Sequence, residues 1–157
     1  MPNPDDLLQR SVDLACSNVA AGGGPFGAVI ADGAGRIVAE GCNDVTRCND
    51  PTAHAEVTAI RQACQARSDY RLDGLLLYSS CEPCPMCMAA ACWARLDGVV
   101  YASTRQQAAA AGFDDARLWQ ALETGTLSLE MPIRHVALPR AGEAFDRWLA
   151  SPGRKPY

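Results

Sequence analysis

Ser80-Cys81-Glu82-Pro83-Cys84-Pro85-Met86-Cys87, read together with Ala53-His54-Ala55-Glu56 upstream, decides how the rest of this chain is read. Cys84 to about Ala94 reads as a helix, with Cys84 and Cys87 in its first turn. Cys84 and Cys87 lie three apart, so they share one helix face and both sulfurs can meet one ion. The partial positive charge and free N–H groups of a helix N-terminus favour thiolates at that place. His54 adds an imidazole nitrogen. One histidine and two cysteines are three ligands for a tetrahedral zinc, with a fourth position open to water. Glu56 stands two residues beyond His54 and cannot point the same way along a regular helix. The two therefore suit different tasks, the imidazole binding metal and the carboxylate taking a proton from water whose pKa zinc lowers to about 7. A closed, purely structural zinc would need a fourth Cys or His. Cys81 is the candidate for it, but a structural site has no use for His-x-Glu.

Outward from this pair the pattern alternates. Leu75 to Ser79 reads as a strand before the cysteine helix, and Gly98 to Ala102 as a strand after it. Ala53, Val57, Ile60 and Cys64 step by 4, 3 and 4, one face of the helix that carries His54 and Glu56. Near the N-terminus, Asn3 caps a helix with Pro4 at its first position and Asp5 and Asp6 in its first turn. Leu8, Val12, Ala15 and Val19 form its apolar stripe, and Gly22-Gly23-Gly24-Pro25 stops it. No Gly-Lys-Ser/Thr follows those glycines, so they are not a phosphate loop. Residues 26–31 and 36–42 make a hairpin around Asp32-Gly33-Ala34-Gly35. Short helices follow at 105–110 and 115–123, a fifth strand at 127–130 or 133–138, and a last helix at 143–150. Helices alternating with strands after an initial hairpin imply a mixed sheet covered on both faces.

Length and composition agree with one domain spanning 1–150 and a tail at 151–157. The 157 residues are 48% hydrophobic and 20% charged, ordinary for a globular chain. No apolar run approaches the roughly 18 residues of a membrane span. The acidic start, Asn3-Pro4-Asp5-Asp6, is unlike a signal peptide, and a cytoplasmic location is expected. Eight cysteines in a chain of this kind read as metal ligands plus small reduced hydrophobes rather than a disulfide framework. Residues 1–133 carry 9 basic and 16 acidic side chains, net −7, whereas 134–157 is net +3. A polynucleotide partner calls for a basic face, and the single lysine and absent basic runs argue against nucleic acid.

The motifs resemble the cytidine-deaminase-like superfamily of zinc deaminases, whose signature is His-x-Glu followed by Pro-Cys-x-x-Cys. The likeness runs through Pro25-Phe26-Gly27-Ala28-Val29-Ile30, through Asn49 to Val57, and through Ser80 to Cys87. Trp93-Ala94-Arg95, Gly112-Phe113-Asp114-Asp115 and the terminal Lys155-Pro156-Tyr157 are similar to its bacterial guanine deaminase branch. The resemblance implies an α/β/α sandwich, three layers around a five-stranded mixed sheet. It implies zinc held by His54, Cys84 and Cys87, with Glu56 as acid and base. It further implies conversion of guanine and water to xanthine and ammonia, a step of purine breakdown. Asn43 would bond the base, Phe26 and Trp93 would wall its ring, and Ala55 would contribute backbone. Asp115, with Asp114, would accept from ring N–H groups, and Tyr157 would complete a lid. That lid is expected to be the tail at 151–157 of a second copy, crossing over in a homodimer. Pro152, Gly153 and Pro156 set this tail apart from the family pattern. Asp114 is also placed to cap the helix that follows, Asn43-Asp44 also suits a turn, and Trp93 also suits a core. Three other readings share part of the signal: a tRNA adenosine deaminase, a deaminase of cytosine or another small heterocycle, and a zinc-stabilised binding module without activity.

Overall fold

The computed structural model describes residues 3–127 and 131–156. The chain divides into two units, residues 1–120 and residues 121–157. In the first unit, helix α1 (Pro4–Ala20) opens with the expected cap. Asn3 accepts from the Asp5 amide while Asp6 accepts from the Asn3 amide, a reciprocal capping box. Strands β1 (Gly27–Asp32) and β2 (Ile37–Cys42) follow, then a single helical turn α2 (Val45–Cys48) and helix α3 (Ala55–Arg67). Strand β3 (Leu75–Cys81), helix α4 (Pro85–Trp93) and strand β4 (Gly98–Ser103) form a βαβ unit. Helices α5 (Arg105–Ala110) and α6 (Asp115–Glu123) come next.

The sheet runs in the order β2-β1-β3-β4. β1 is antiparallel to both β2 and β3, and β4 is parallel to β3, so the sheet is mixed as expected. Because side chains alternate along a strand, β1 feeds two cores. Ala28 and Ile30 enter the core that takes in Ala55, Ala59, Ala63 and Ala91 of α3 and α4. Val29 and Ala31 pack with Leu7 of α1 and Tyr78 of β3 in the other. Three layers result. The alanine face of α3 lets that helix sit almost on the backbone of β2. A Cβ at Gly41 would lie 2.2 Å from the Ala55 carbonyl oxygen, so glycine is required there.

The structure corrects three expectations. Among the described residues the sheet has four strands rather than five. Residues 133–138 form no strand; Pro132 and Pro139 flank them and cannot donate to a ladder. The alternative at 127–130 lies mostly outside the described residues. The buried stripe of α1 is Leu7, Ser11, Ala15 and Asn18 rather than Leu8, Val12, Ala15 and Val19, and Val19 is exposed. Two polar residues lie in that stripe, which is why hydrophobic spacing placed it a residue out of step. In α3 the buried face is Ala55, Glu56, Ala59, Ile60 and Ala63, with Val57 only half-buried. The second unit contains helix α7 (Glu143–Ala150), whose Phe145, Trp148 and Leu149 are exposed.

Candidate active site

His54 and Cys84 occupy equivalent places, each the N-cap residue of its helix with extended backbone. Their carbonyls accept the first helical hydrogen bonds, from Thr58 and Met88, and leave the side chains directed outward from the helix ends. Cys87 follows one turn into α4. The three ligand atoms all fall within 4.8 Å of one another. His54 Nδ1 is 3.5 Å from Cys84 Sγ and 3.4 Å from Cys87 Sγ, and the two sulfurs are 3.6 Å apart. A tetrahedral zinc with usual bond lengths has ligand–ligand edges of about 3.5–3.8 Å. Spacing and donor set therefore fit zinc, and among the described residues the cluster supplies three ligands.

The thiols carry their charge unequally. Cys84 is brought down to about 4 by the hydrogen bond from Cys87 and then by His54. Cys87 is pushed up, because its proton is shared with the Cys84 sulfur and it is buried beside Glu56. His54 is raised, first by its hydrogen bond with Cys84. His54, Cys84 and Cys87 would give up their remaining protons on holding a divalent cation, as thiol ligands do in general.

Glu56, in the first turn of α3, is 6% exposed, and burial raises its carboxyl above the ordinary value. Its two oxygens have separate neighbours. Ser79 Oγ donates to Oε1 at 3.1 Å, while Oε2 lies 3.5 Å from Cys87 Sγ at the edge of the ligand cluster. Ser79 was not named from sequence; an inward serine on a buried strand carries no periodic signal.

These groups open into a cavity of about 670 Å³ lined by Phe26, Asn43, His54, Glu56, Cys84, Asp114 and Asp115. Glu82, Met86, Phe113 and Leu118 also line it, though the sequence assigned them no role there. Phe113 meets Phe26 edge to face with centroids 4.8 Å apart, so the aromatic wall is a pair. Asp114 is exposed and paired with Arg117 at 3.2 Å, whereas Asp115 is half-buried and its carboxyl is raised by burial. Glu82 is answered by Arg105, whose guanidinium stands 4.9 Å over the Trp119 ring. Trp119 Nε1 donates to the Pro83 carbonyl at 3.3 Å, which ties the middle of α6 to the cysteine loop.

One expected residue lies elsewhere. Trp93, at the far end of α4 and about 13 Å along the helix from Cys84, is exposed and does not line this cavity. Ala55 is fully buried against β2. Tyr157 lies outside the described residues. Cys81 is not in the ligand cluster. Its thiol points to the Thr104 carbonyl, 3.8 Å away, beside a separate cavity of about 260 Å³, and burial pushes it up to about 11.

A half-buried imidazole, two buried thiols and a buried carboxylate assembled at two helix N-termini define a zinc hydrolase site. The family described as the cytidine and deoxycytidylate deaminase zinc-binding region matches residues 1–103, and the chain belongs to it. Within that family it is similar to guanine deaminase of Bacillus subtilis strain 168, 49% identical over 157 residues and 99% of each chain. A solved structure of guanine deaminase from Bacillus subtilis superposes with a TM-score of 0.94 over 99% of both chains at 48% identity. A guanine deaminase structure from Nitrosomonas europaea gives a TM-score of 0.71 at 31% identity, over 73% of this chain and 66% of that one. A tRNA-specific adenosine deaminase of Haemophilus influenzae is 35% identical across 80% of this chain and 77% of its own length.

Proposed function

We propose that this chain catalyses the hydrolytic deamination of guanine. Water adds at C2, the bond from C2 to the exocyclic nitrogen breaks, and xanthine and ammonia leave. The observation that carries the reading is the Glu56 carboxylate, buried and fixed 3.5 Å from a ligand sulfur inside a cavity walled by an aromatic pair. His54, Cys84 and Cys87 would hold zinc, which when bound supplies a Lewis acid that makes water a nucleophile at neutral pH. Glu56 Oε2 would take one proton from the attacking water and pass it to ring N3, then take the second from the C2 hydroxyl and pass it to the departing amine as the C–N bond breaks. The Ser79 hydrogen bond keeps Oε1 out of that exchange. Asn43 and the half-buried Asp115 face the base edge, where an amide and a carboxylate match ring N–H donors. Buried polar groups left unpaired by the wrong base discriminate strongly. Phe26 holds the ring face.

The full-length likeness to a guanine deaminase supports guanine over cytosine. The likeness to a tRNA deaminase favours a second reading, with an open groove for nucleic acid. The acidic balance of residues 1–133 weighs against it. The lid and the homodimer belong to the same proposal. A cavity of about 670 Å³ exceeds what one flat base fills, and residues 151–157 of a second copy would take up the remainder. Exposed Met131, Ile133, Val136, Leu138, Phe145, Trp148 and Leu149 give a second copy an apolar surface to cover. Eight unbridged cysteines suit a reducing cytoplasm. Ammonia release from guanine, guanosine, cytosine, adenine and a tRNA, each offered to the zinc-loaded protein, tests the reading. Guanine alone should react; reaction with tRNA and silence on guanine would replace it with the second reading.

A further inference from the structure

The glycines at 22–24 do more than end α1. Asn18, on the buried stripe of that helix and 4% exposed, donates from Nδ2 to the Gly24 carbonyl and to the Asn43 carbonyl, both at 2.8 Å. Its Oδ1 accepts from Arg47 Nη2 at 2.7 Å. Two carbonyls on one side and a guanidinium on the other fix the orientation of this amide and use both of its donor hydrogens. The main chain completes the bracket: Gly23 N donates to the Asn18 carbonyl at 2.8 Å and Asn43 N to the Phe26 carbonyl at 3.1 Å. Asn43 Oδ1 accepts from the Val45 amide at 3.3 Å. Gly23, Gly24, Phe26, Asn43 and Val45 all line the main cavity; Asn18 does not. The glycines leave room for this fit. A Cβ at Gly23 would lie 2.5 Å from Asn18 Nδ2, and one at Gly24 would lie 2.8 Å from Asn43 Oδ1.

We infer that Asn18 is a positioning residue for base recognition, bracing the Asn43 loop against the glycine loop so that Asn43 meets the base edge at a set distance. The inference rests on the reading of this cavity as a guanine site. Asn18 touches no substrate and acts through Asn43, so its loss should weaken binding more than turnover. Substitution by aspartate would turn an oxygen toward two carbonyls, and serine is too short to span them.

Steady-state kinetics on guanine for Asn18→Ser, Asn43→Ala and the double variant test the role. Asn18→Ser should raise KM about tenfold while kcat stays within about threefold, the pattern of lost binding rather than lost chemistry. In the Asn43→Ala background the same substitution should add less than about twofold, because residues acting through one contact are not additive. A lowered Tm with unchanged KM, or effects that multiply, would overturn the inference. Should Asn18→Ser not fold, Gly24→Ala presses on the Asn43 side chain from the opposite loop and is read identically. Wild-type silence on guanine would overturn the positioning role together with the reading beneath it. An active wild type whose KM moves in neither variant overturns the positioning role alone.

Discussion

Glu56 and Ser79 show how much of the chemistry rests on single atoms. Burial holds the carboxyl of Glu56 above its ordinary range, and the Ser79 hydroxyl engages Oε1, which under the proposed mechanism leaves Oε2 to move a proton. Glu56→Ala should lower kcat by about a hundred- to ten-thousandfold, the usual span of acid–base catalysis, while metal analysis still finds one zinc per chain. Cys84→Ala should lose zinc and turnover together. A hydrogen bond to a charged group contributes about 1.5–3 kcal/mol. Ser79→Ala should accordingly lower kcat about tenfold or more and leave KM within about twofold. The cluster of His54, Cys84 and Cys87 was legible because metal binding imposes a spacing along the chain. Ser79, Phe113 and Glu82 were not, since each reaches the site through the sheet register or a loop path that no local pattern encodes.

At the scale of elements, the start of α1 was legible from its Asn3 cap, and the helix faces were less so. The α1 stripe was misread because Ser11 and Asn18 are buried for their hydrogen bonds, to the Leu8 carbonyl and to the two pocket loops. The α3 face was misread because alanines rather than larger residues meet the sheet. One contact between elements makes a pH prediction. Arg10 of α1 and Glu40 of β2 form a two-pronged pair at 2.7 and 2.9 Å, and this holds the Glu40 carboxyl below its ordinary 4.5. A depressed carboxyl stabilises the fold above its unfolded pKa, and that contribution is lost as pH falls through the folded value. Both side chains are partly exposed, so the pair contributes at most about 0.5–1 kcal/mol. Thermal melts of Glu40→Gln should lie about 1–3 °C below wild type at pH 7, with the gap closing as pH falls below the ordinary carboxyl range.

For the whole molecule, the mixed sheet and its two covering layers followed from the alternation of patterns. The count of strands did not, because apolar residues between Pro132 and Pro139 resemble a strand until their pairing is sought. Those residues are exposed, as is the apolar face of α7, and both gain a partner under the proposed homodimer. Deleting residues 151–157 should impair catalysis on guanine while sedimentation still finds a dimer or a weakened one; unchanged kinetics would remove the lid. A further consequence follows from the two helix N-termini that supply the ligands. His54 and Cys84 are 30 residues apart, so a bound ion ties a loop of that length in the manner of a cross-link. A covalent tie around such a loop contributes about 3–4 kcal/mol by restricting the unfolded chain. Chelator should therefore lower the melting temperature by several degrees in Glu56→Ala as in wild type. The residues chosen for chemistry would then also set how long the protein survives in a metal-poor cell.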